Sequence, residues 1–567
     1  MPVLLKNKIT MGLNIKDIAI VLVFLGMAVI VFAVNYPIGT YDLDSDIWYR
    51  GNFLTGLIDQ YDFSHDYFMS NKQFYRYYTE IYFHVPMFLL FGDYESYAAF
   101  LHPLLFFLQL SILYLLCLKL SNRRPVSFFA ALIFTVSSVY FKYNGDAFGI
   151  FPVWGATGKT ISLIYLCFLL ILLFSFRAAV KYFLIITALT TVLIWVHPIT
   201  FIGPGLAVIG ASFYLFISSG EIARHGKIKG SIFGMILAVV PLGIYYGLYK
   251  ANFLPNLACI TDPEYNEAIR QALSERMSKP SFYYLWLELK ELILLPGGLF
   301  IFVPAALSLA YIRRNKKISL IFMSMMILAL SNAAIFCFDR YMGCRFQLED
   351  VRRNIKWVYF YAFLMIVACY PEWLRNIKRA GSRYYAAMFN VCFIVISMSA
   401  FWPHLARSAK HNTLYNKLCT RGILSCKIKD DTAIDAINRD ADDIAHYMKG
   451  MPASYTVAGP LWLRYKAGRN LSYCCEERYR HSGITYDLWK KRKKVCKVLD
   501  MLSFDKRKPK EYLRMMKFMG SDVFFLEKFK KVFVHGLNQY IFRKRNIDIK
   551  DFPVIYENGS FALIDTR

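Results

Sequence analysis

Residues 18–36 read IAIVLVFLGMAVIVFAVNY, nineteen positions with no charged side chain. A membrane crossing needs about 20 apolar residues. Lys6, Lys8 and Lys16 precede the stretch, as they would precede a signal peptide. It is too long for an ordinary signal core and shows no small-residue cleavage site, so it reads as a retained helix. Working outward, similar stretches follow near 97–120, 126–141, 161–176, 182–197, 199–218, 231–249, 293–312, 318–338, 357–371 and 386–403. The whole chain of 567 residues is 56% hydrophobic, 17% aromatic and only 19% charged, below the roughly 25% usual in soluble domains. Its mean hydropathy is +0.35. This is the composition of an integral membrane protein.

The connections decide orientation. Arg123-Arg124, Arg177 with Lys181, Arg224 with Lys227 and Lys229, Arg313-Arg314 with Lys316-Lys317, and Arg375 with Lys378-Arg379 fall at every second turn. Basic loops collect on the cytoplasmic side. The expected fold class is therefore mainly α: a polytopic bundle of about 11 spans, N-terminus inside and C-terminus outside. Residues 1–403 form the transmembrane part and 404–567 an extracytoplasmic α/β domain. A plasma (inner) membrane location follows. The outside inventory is a first loop over 37–96 with an amphipathic helix around 80–91, a second over 142–160, a tight His197-Pro198 corner, a loop over 250–292 and a basic loop over 339–356. No internal repeat is evident.

The formal net charge is +27, and about half of the Lys and Arg follow residue 404, including Lys490–Lys494 and Arg543–Arg545. An outside domain does not meet nucleic acid, so these charges read as a solvated face favouring anionic lipid headgroups. Twelve cysteines are scattered without a Cys-x-x-Cys pair, which gives zinc or haem little support. Five of them, Cys419, Cys426, Cys474, Cys475 and Cys496, fall in the C-terminal part, where an oxidising compartment would permit disulfides.

Three constellations carry chemistry. In Tyr41-Asp42-Leu43-Asp44-Ser45-Asp46-Ile47-Trp48-Tyr49-Arg50, alternate carboxylates share one face of an extended segment. Crowded carboxylates beside a membrane suit a general base or a divalent cation held by oxygen ligands. The second loop holds Tyr143-Asn144-Gly145-Asp146 and then Gly158-Lys159-Thr160 at a helix start, where glycines, a lysine and free backbone N–H groups favour anions. It lacks the spacing and preceding strand of a nucleotide-binding phosphate loop. Third, Asp339-Arg340 and Cys344-Arg345, followed by Arg352-Arg353, set arginines on the outside, against the positive-inside bias. Bidentate recognition of phosphate or carboxylate explains such arginines; pairing with Glu349 or Asp350, or with headgroups, explains them equally. His197 before Pro198 reads as a hydrogen-bonded corner.

The segment Asp44-Ser45-Asp46-Ile47-Trp48-Tyr49-Arg50 resembles the Asp-Pro-Tyr-Phe-Asn-Tyr-Arg stretch of oligosaccharyltransferase catalytic subunits, with Asp44, Tyr49 and Arg50 in matching places. Gly145-Asp146 is similar to the second acidic motif of that family. The layout of many spans followed by an outside domain resembles the GT-C superfamily of membrane glycosyltransferases. Asp442 to Arg469 looks like a strand–helix segment common in their tails, and Val554–Phe561 like their closing hairpin. A Trp-Trp-Asp motif is missing, as is the Asp-Glu pair of protein O-mannosyltransferases.

The resemblance implies transfer of a sugar from a polyprenyl-phosphate-linked donor to an acceptor glycan, lipid or protein. Asp44 is the expected base, with Asp46 and Asp42 beside it. Asp146, Lys159, Arg340, Arg345, Arg50 and Tyr49 are the expected substrate and phosphate contacts. A divalent cation (Mg or Mn) would sit on Asp46 and Asp146. The rival expectations are a transporter or flippase of a lipid-linked or polymer intermediate, and a non-catalytic envelope-assembly protein.

Overall fold

The computed structural model describes residues 14–35, 51–52, 54–55, 81–137, 140–141, 146–147, 158–175, 180–217, 243, 247, 279–295, 297–342, 349–380, 383–411, 432–473, 488, 491–495, 509–534, 539–544 and 549–567. Its N-terminal part is helical: α1 (Ile15–Asn35), α2 (Ile81–Phe91), α3 (Tyr94–Ser121), α4 (Arg124–Ser137), the hairpin of β1 (Tyr140–Phe141) and β2 (Asp146–Ala147), α5 (Gly158–Ser175), α6 (Val180–Thr191), α7 (Leu206–Ile217), α8 (Ser281–Leu294), α9 (Gly298–Ser308), α10 (Lys316–Tyr341), α11 (Trp357–Ala380) and α12 (Arg383–His411).

Sequence sets several of these boundaries. The Asp93 carboxylate accepts from Ser96 N at 2.6 Å and caps α3, which ends on Asn122 in the left-handed region. Asn315 caps α10 in the same way, accepting from Lys317 N at 3.0 Å.

Among the described residues, four helices are long and apolar enough to cross a membrane, or up to five if the bent pair 281–294 and 298–311 is one span. Five further apolar helices are shorter, at 10–17 residues. The protein is thus a helical membrane protein, but the expected eleven spans are not reached. The difference has physical causes. The stretch expected as a span over 126–141 leaves the helix at Ser137 and turns into a strand at Tyr140. The stretches over 182–197 and 199–218 keep only 12-residue helices, α6 and α7, because the chain between them is divided into the short segments Leu193–Val196 and Pro198–Thr200 and a π-helical turn at Phe201–Gly205 that holds Pro204. Of the span expected over 231–249, only residues 243 and 247 are described.

The helix ends sort themselves by contact. Arg124 Nε and Nη2 donate to the two oxygens of Asp17 at 2.7 and 2.9 Å, and the Tyr114 hydroxyl donates to the same carboxylate at 2.6 Å. That knot ties the start of α1 to the end of α3 and the start of α4. Lys317 Nζ donates to the Leu120 carbonyl at 3.1 Å, adding the start of α10. Asn376 Nδ2 donates to the Tyr311 hydroxyl at 2.7 Å, adding the end of α11. Lys16, Arg123, Arg124, Arg313, Arg314, Lys316, Lys317, Arg375, Lys378 and Arg379 all belong to these ends, so one end of the bundle is basic.

The C-terminal part holds one five-stranded sheet in the order β4-β3-β5-β9-β8, formed by β3 (Thr456–Ala458), β4 (Asn470–Tyr473), β5 (Val523–Glu527), β8 (Val554–Glu557) and β9 (Phe561–Asp565). β3 is parallel to β4 and β5; β9 is antiparallel to β5 and β8. A separate ribbon pairs β6 (Phe529–Val534) with β7 (Gln539–Lys544). On one sheet face, Phe525 and Phe561 pack against Trp462 of the short helix α14 (Trp462–Ala467), beside buried Ile437, Ile444 and Met448 of α13 (Thr432–Lys449). On the other face, Phe524 and Ile564 share a separate core with Tyr512 and Met516 of α15 (Pro509–Phe518). Helices thus cover both faces of a mixed sheet, an α/β arrangement.

Arg469 closes α13 by donating to the carbonyls of Lys449, Met451 and Pro452 at 3.2, 2.7 and 2.7 Å. Its burial pulls the guanidinium pKa below the usual arginine value. Asn470 and Ser472 of the Asn470-Leu471-Ser472 sequon are buried in β4.

Candidate functional site

The acidic first loop enters the described structure at Gly51 and Asn52, immediately after Arg50. Residues 51, 52, 54 and 55 are helical and buried. Asn52 Nδ2 donates 3.2 Å to the carbonyl of Leu461, at the start of α14 in the C-terminal sheet domain. Leu54 belongs to an apolar core that runs unbroken from the bundle into the α13 face of the sheet. The chain just downstream of the aspartates is therefore gripped between the bundle and the C-terminal domain.

A second contact fixes the same joint. Lys466 of α14 lies 2.9 Å from Glu95, in the first turn of α3, and also pairs with Asp442 of α13. Its ammonium side chain is only 10% exposed, and Glu95 is 24% exposed. α3 ends at the basic end, so the C-terminal domain docks at the opposite, far end.

The corner at His197 belongs to the far end as well. Thr200 N donates to His197 Nδ1 at 3.3 Å, and the Thr200 hydroxyl lies 2.7 Å from the same nitrogen. The imidazole closes the turn between two helix segments, as expected. Asn354, in the 3₁₀ helix Glu349–Lys356, donates to the Ile199 carbonyl at 2.8 Å and to Asn332 Oδ1 of α10 at 3.0 Å. Tyr165 of α5 donates to the Leu189 carbonyl of α6 at 2.8 Å, which brings the first half of α5 to the same end.

The expected site residues divide as follows. Asp42, Asp44, Asp46, Tyr49, Arg50 and Arg345 lie outside the described residues. Asp146 sits in β2, its backbone paired with Phe141, so the second acidic motif is the returning strand of a short hairpin beyond α4. Lys159 is the second residue of α5, at a helix start as expected. Arg340 is not in a loop but in the last turn of α10. Its Nη2 donates to the Lys279 carbonyl at 2.7 Å, and its guanidinium stands over the Tyr284 ring at 5.8 Å. Arg352 stands over the same ring at 5.8 Å and forms an ion pair with Glu288 at 2.5 Å. Among the described residues, no group of three or more His, Cys, Asp or Glu side chains could hold a metal. The expected cation ligands are Asp46, outside the described residues, and Asp146, described by its backbone alone; no step below passes through a cation.

The residues that join the domains, Asn52, Glu95 and Lys466, were not foreseen. Hundreds of positions separate the partners, and a single sequence carries no signal that couples them. Glu288 and Glu291 could have been noticed, since two acids one helical turn apart in an apolar segment ask for partners. No family model matches the chain, and no curated protein matches it.

Proposed function

We propose that the protein is an integral-membrane glycosyltransferase that moves a sugar from a polyprenyl-phosphate-linked donor to an acceptor on the extracytoplasmic face. The observation that supports this reading is the joint at Asn52 and Leu461: eight residues after Asp44, the chain is buried and hydrogen-bonded to the C-terminal domain. Asp44 takes the proton of the acceptor hydroxyl as its oxygen bonds the anomeric carbon. The bond from that carbon to the phosphate oxygen breaks, and lipid phosphate leaves. Arg340, Arg345 and Lys159 offset the leaving charge, a role for preorganised cations. Asp42, Asp46, Asp146, Tyr49 and Arg50 complete the acceptor side, and the apolar helices take the polyprenyl chain.

The test uses purified protein in lipid nanodiscs, offered short-chain polyprenyl-phosphate hexoses and pentoses together with a pool of glycan, lipid and peptide acceptors. Mass spectrometry measures release of polyprenyl phosphate. Asp44→Asn should abolish release without lowering protein yield, and a variant that turns over at the unmodified rate would refute Asp44 as base. The transporter reading draws on one observation, the π-helical turn beside the buried Asn332–Asn354 pair, because interrupted helices line transport sites. Uptake that responds to a proton or sodium gradient favours it; a transferase is indifferent to gradients.

A further inference from the structure

We infer that α8 lies in the plane of the membrane, seated in the headgroup–hydrocarbon boundary of the leaflet at the far end, with lipid as its partner. The inference stands apart from the transferase reading. α8 has 14 residues, about 21 Å of helix, well short of a hydrocarbon core of about 30 Å. It meets α9 at 93°, the chain turning through Gly297 in the left-handed region, where a side chain would be strained.

The side chains of α8 are distributed the wrong way round for water. Glu288 and Glu291 are buried, Glu288 at 1% exposure with its carboxylate on Arg352. Phe282, Trp286, Leu289 and Ile293, spaced i, i+4, i+7 and i+11, form one exposed stripe, with Phe282 at 72% and Trp286 at 56%. Tyr283 and exposed Lys290 flank it, a polar-tipped ring and a snorkelling amine suited to the headgroup layer. Past the bend, Leu299, Phe300, Val303 and Leu307 of α9 are exposed too, so the stripe runs on into a helix of the bundle's own lipid-facing surface. That continuity selects lipid over a protein partner, because one apolar medium then covers both arms of the bend. The ion pair to Arg352 and the ring of Tyr284 under Arg340 and Arg352 hold the inner face.

The test installs p-benzoylphenylalanine at Phe282, Trp286 or Ile293 of the full chain in phosphatidylethanolamine–phosphatidylglycerol nanodiscs, with Leu292 as the buried control. Irradiation should give phospholipid adducts at the three exposed positions and none at Leu292. The adducts should fall at one depth, on the glycerol region and upper acyl carbons. A second protein copy in the adduct, or no adduct together with reaction of these positions with a water-soluble reagent, would overturn the proposal. So would a depth that progresses from headgroup to chain end between Phe282 and Ile293, since a helix crossing the leaflet would descend about 16 Å over those residues.

Discussion

Replacing Lys466 with Met should loosen the C-terminal domain from the bundle. The ammonium lies 2.9 Å from Glu95, and the side chains are 10% and 24% exposed. At an effective dielectric constant of about 20, the gross attraction at this separation is about 5–6 kcal/mol. Desolvation of both ions cancels much of it. Exposed ion pairs contribute about 0–1 kcal/mol, whereas breaking a fully buried one costs about 3–5 kcal/mol because a charge is stranded. Three-quarters-buried Glu95 falls between these limits, so the loss is about 2 kcal/mol, or about 30-fold in the docking equilibrium. Asp442 offers little compensation, being 60% exposed. Native-state hydrogen exchange reads the effect: amides of α13, β3 and β4, and those around Asn52, should lose protection by about that factor. A double-mutant cycle with Glu95→Gln should return a coupling of about 1–2 kcal/mol, and one with Asp442→Asn less than about 0.5 kcal/mol. If Lys466→Met and Glu95→Gln prove additive, the pair does not hold the domains together and the reasoning fails. Under the transferase reading, the same variant should also slow sugar transfer, because Asn52, just after the aspartates, is held at the same joint.

Two further substitutions probe the bundle. Gly203→Ala would set a methyl group 2.4 Å from the Asn354 side chain, so Asn354 must leave Ile199 and Asn332; a loss of about 1–3 kcal/mol should lower the thermal unfolding midpoint in detergent. An unchanged midpoint would mean that the corner yields freely. Asp17→Asn strips Arg124 of its bidentate partner and should destabilise by about 2 kcal/mol, Arg124 being partly exposed, while Tyr114→Phe should cost about 1 kcal/mol. Equal unfolding midpoints for the two variants would show that the hydroxyl, not the ion pair, ties α1 to α3 and α4.

Long apolar runs between polar caps were legible. The stretch expected over 97–120 became α3 (Tyr94–Ser121), bounded by Asp93 and Asn122, and that over 318–338 became α10 (Lys316–Tyr341) behind Asn315. Breaks were legible only in part. His197-Pro198 announced a corner, but not the π-helical turn after it, which depends on Gly203 lying against Asn354 from a distant turn. Conversely, the span expected over 357–371 stops at Pro371, yet α11 continues through it to Ala380. A proline breaks a helix only where neighbours cannot satisfy the carbonyl that it frees. The helix of residues 281–294 was hidden inside an expected loop, because its hydrophobic stripe is too short to read as a span. Of the candidate site, only Asp146, Lys159 and Arg340 fall among the described residues: Lys159 at the helix start expected for it, Asp146 in a strand and Arg340 in a helix rather than in the loops expected for them. Its supports were not legible, since Glu95–Lys466 and Asn52–Leu461 are contacts between remote parts of the chain.

The far-end arginines bear on orientation. The positive-inside bias counts cations that must stay on the cytoplasmic side, and outside arginines weaken it unless something neutralises or engages them. The described ones are engaged. Arg352 has Glu288 and the Tyr284 ring, and Arg340 has the Lys279 carbonyl and the same ring. Arg469, in the docked domain, has three carbonyls. Cations at the basic end are engaged as well: Arg124 pairs with Asp17, Arg375 with Glu372, and Lys317 donates to the Leu120 carbonyl. Under the transferase reading, the end that carries the His197 corner and the C-terminal sheet would face away from the cytoplasm, where a lipid-linked sugar and its acceptor would meet.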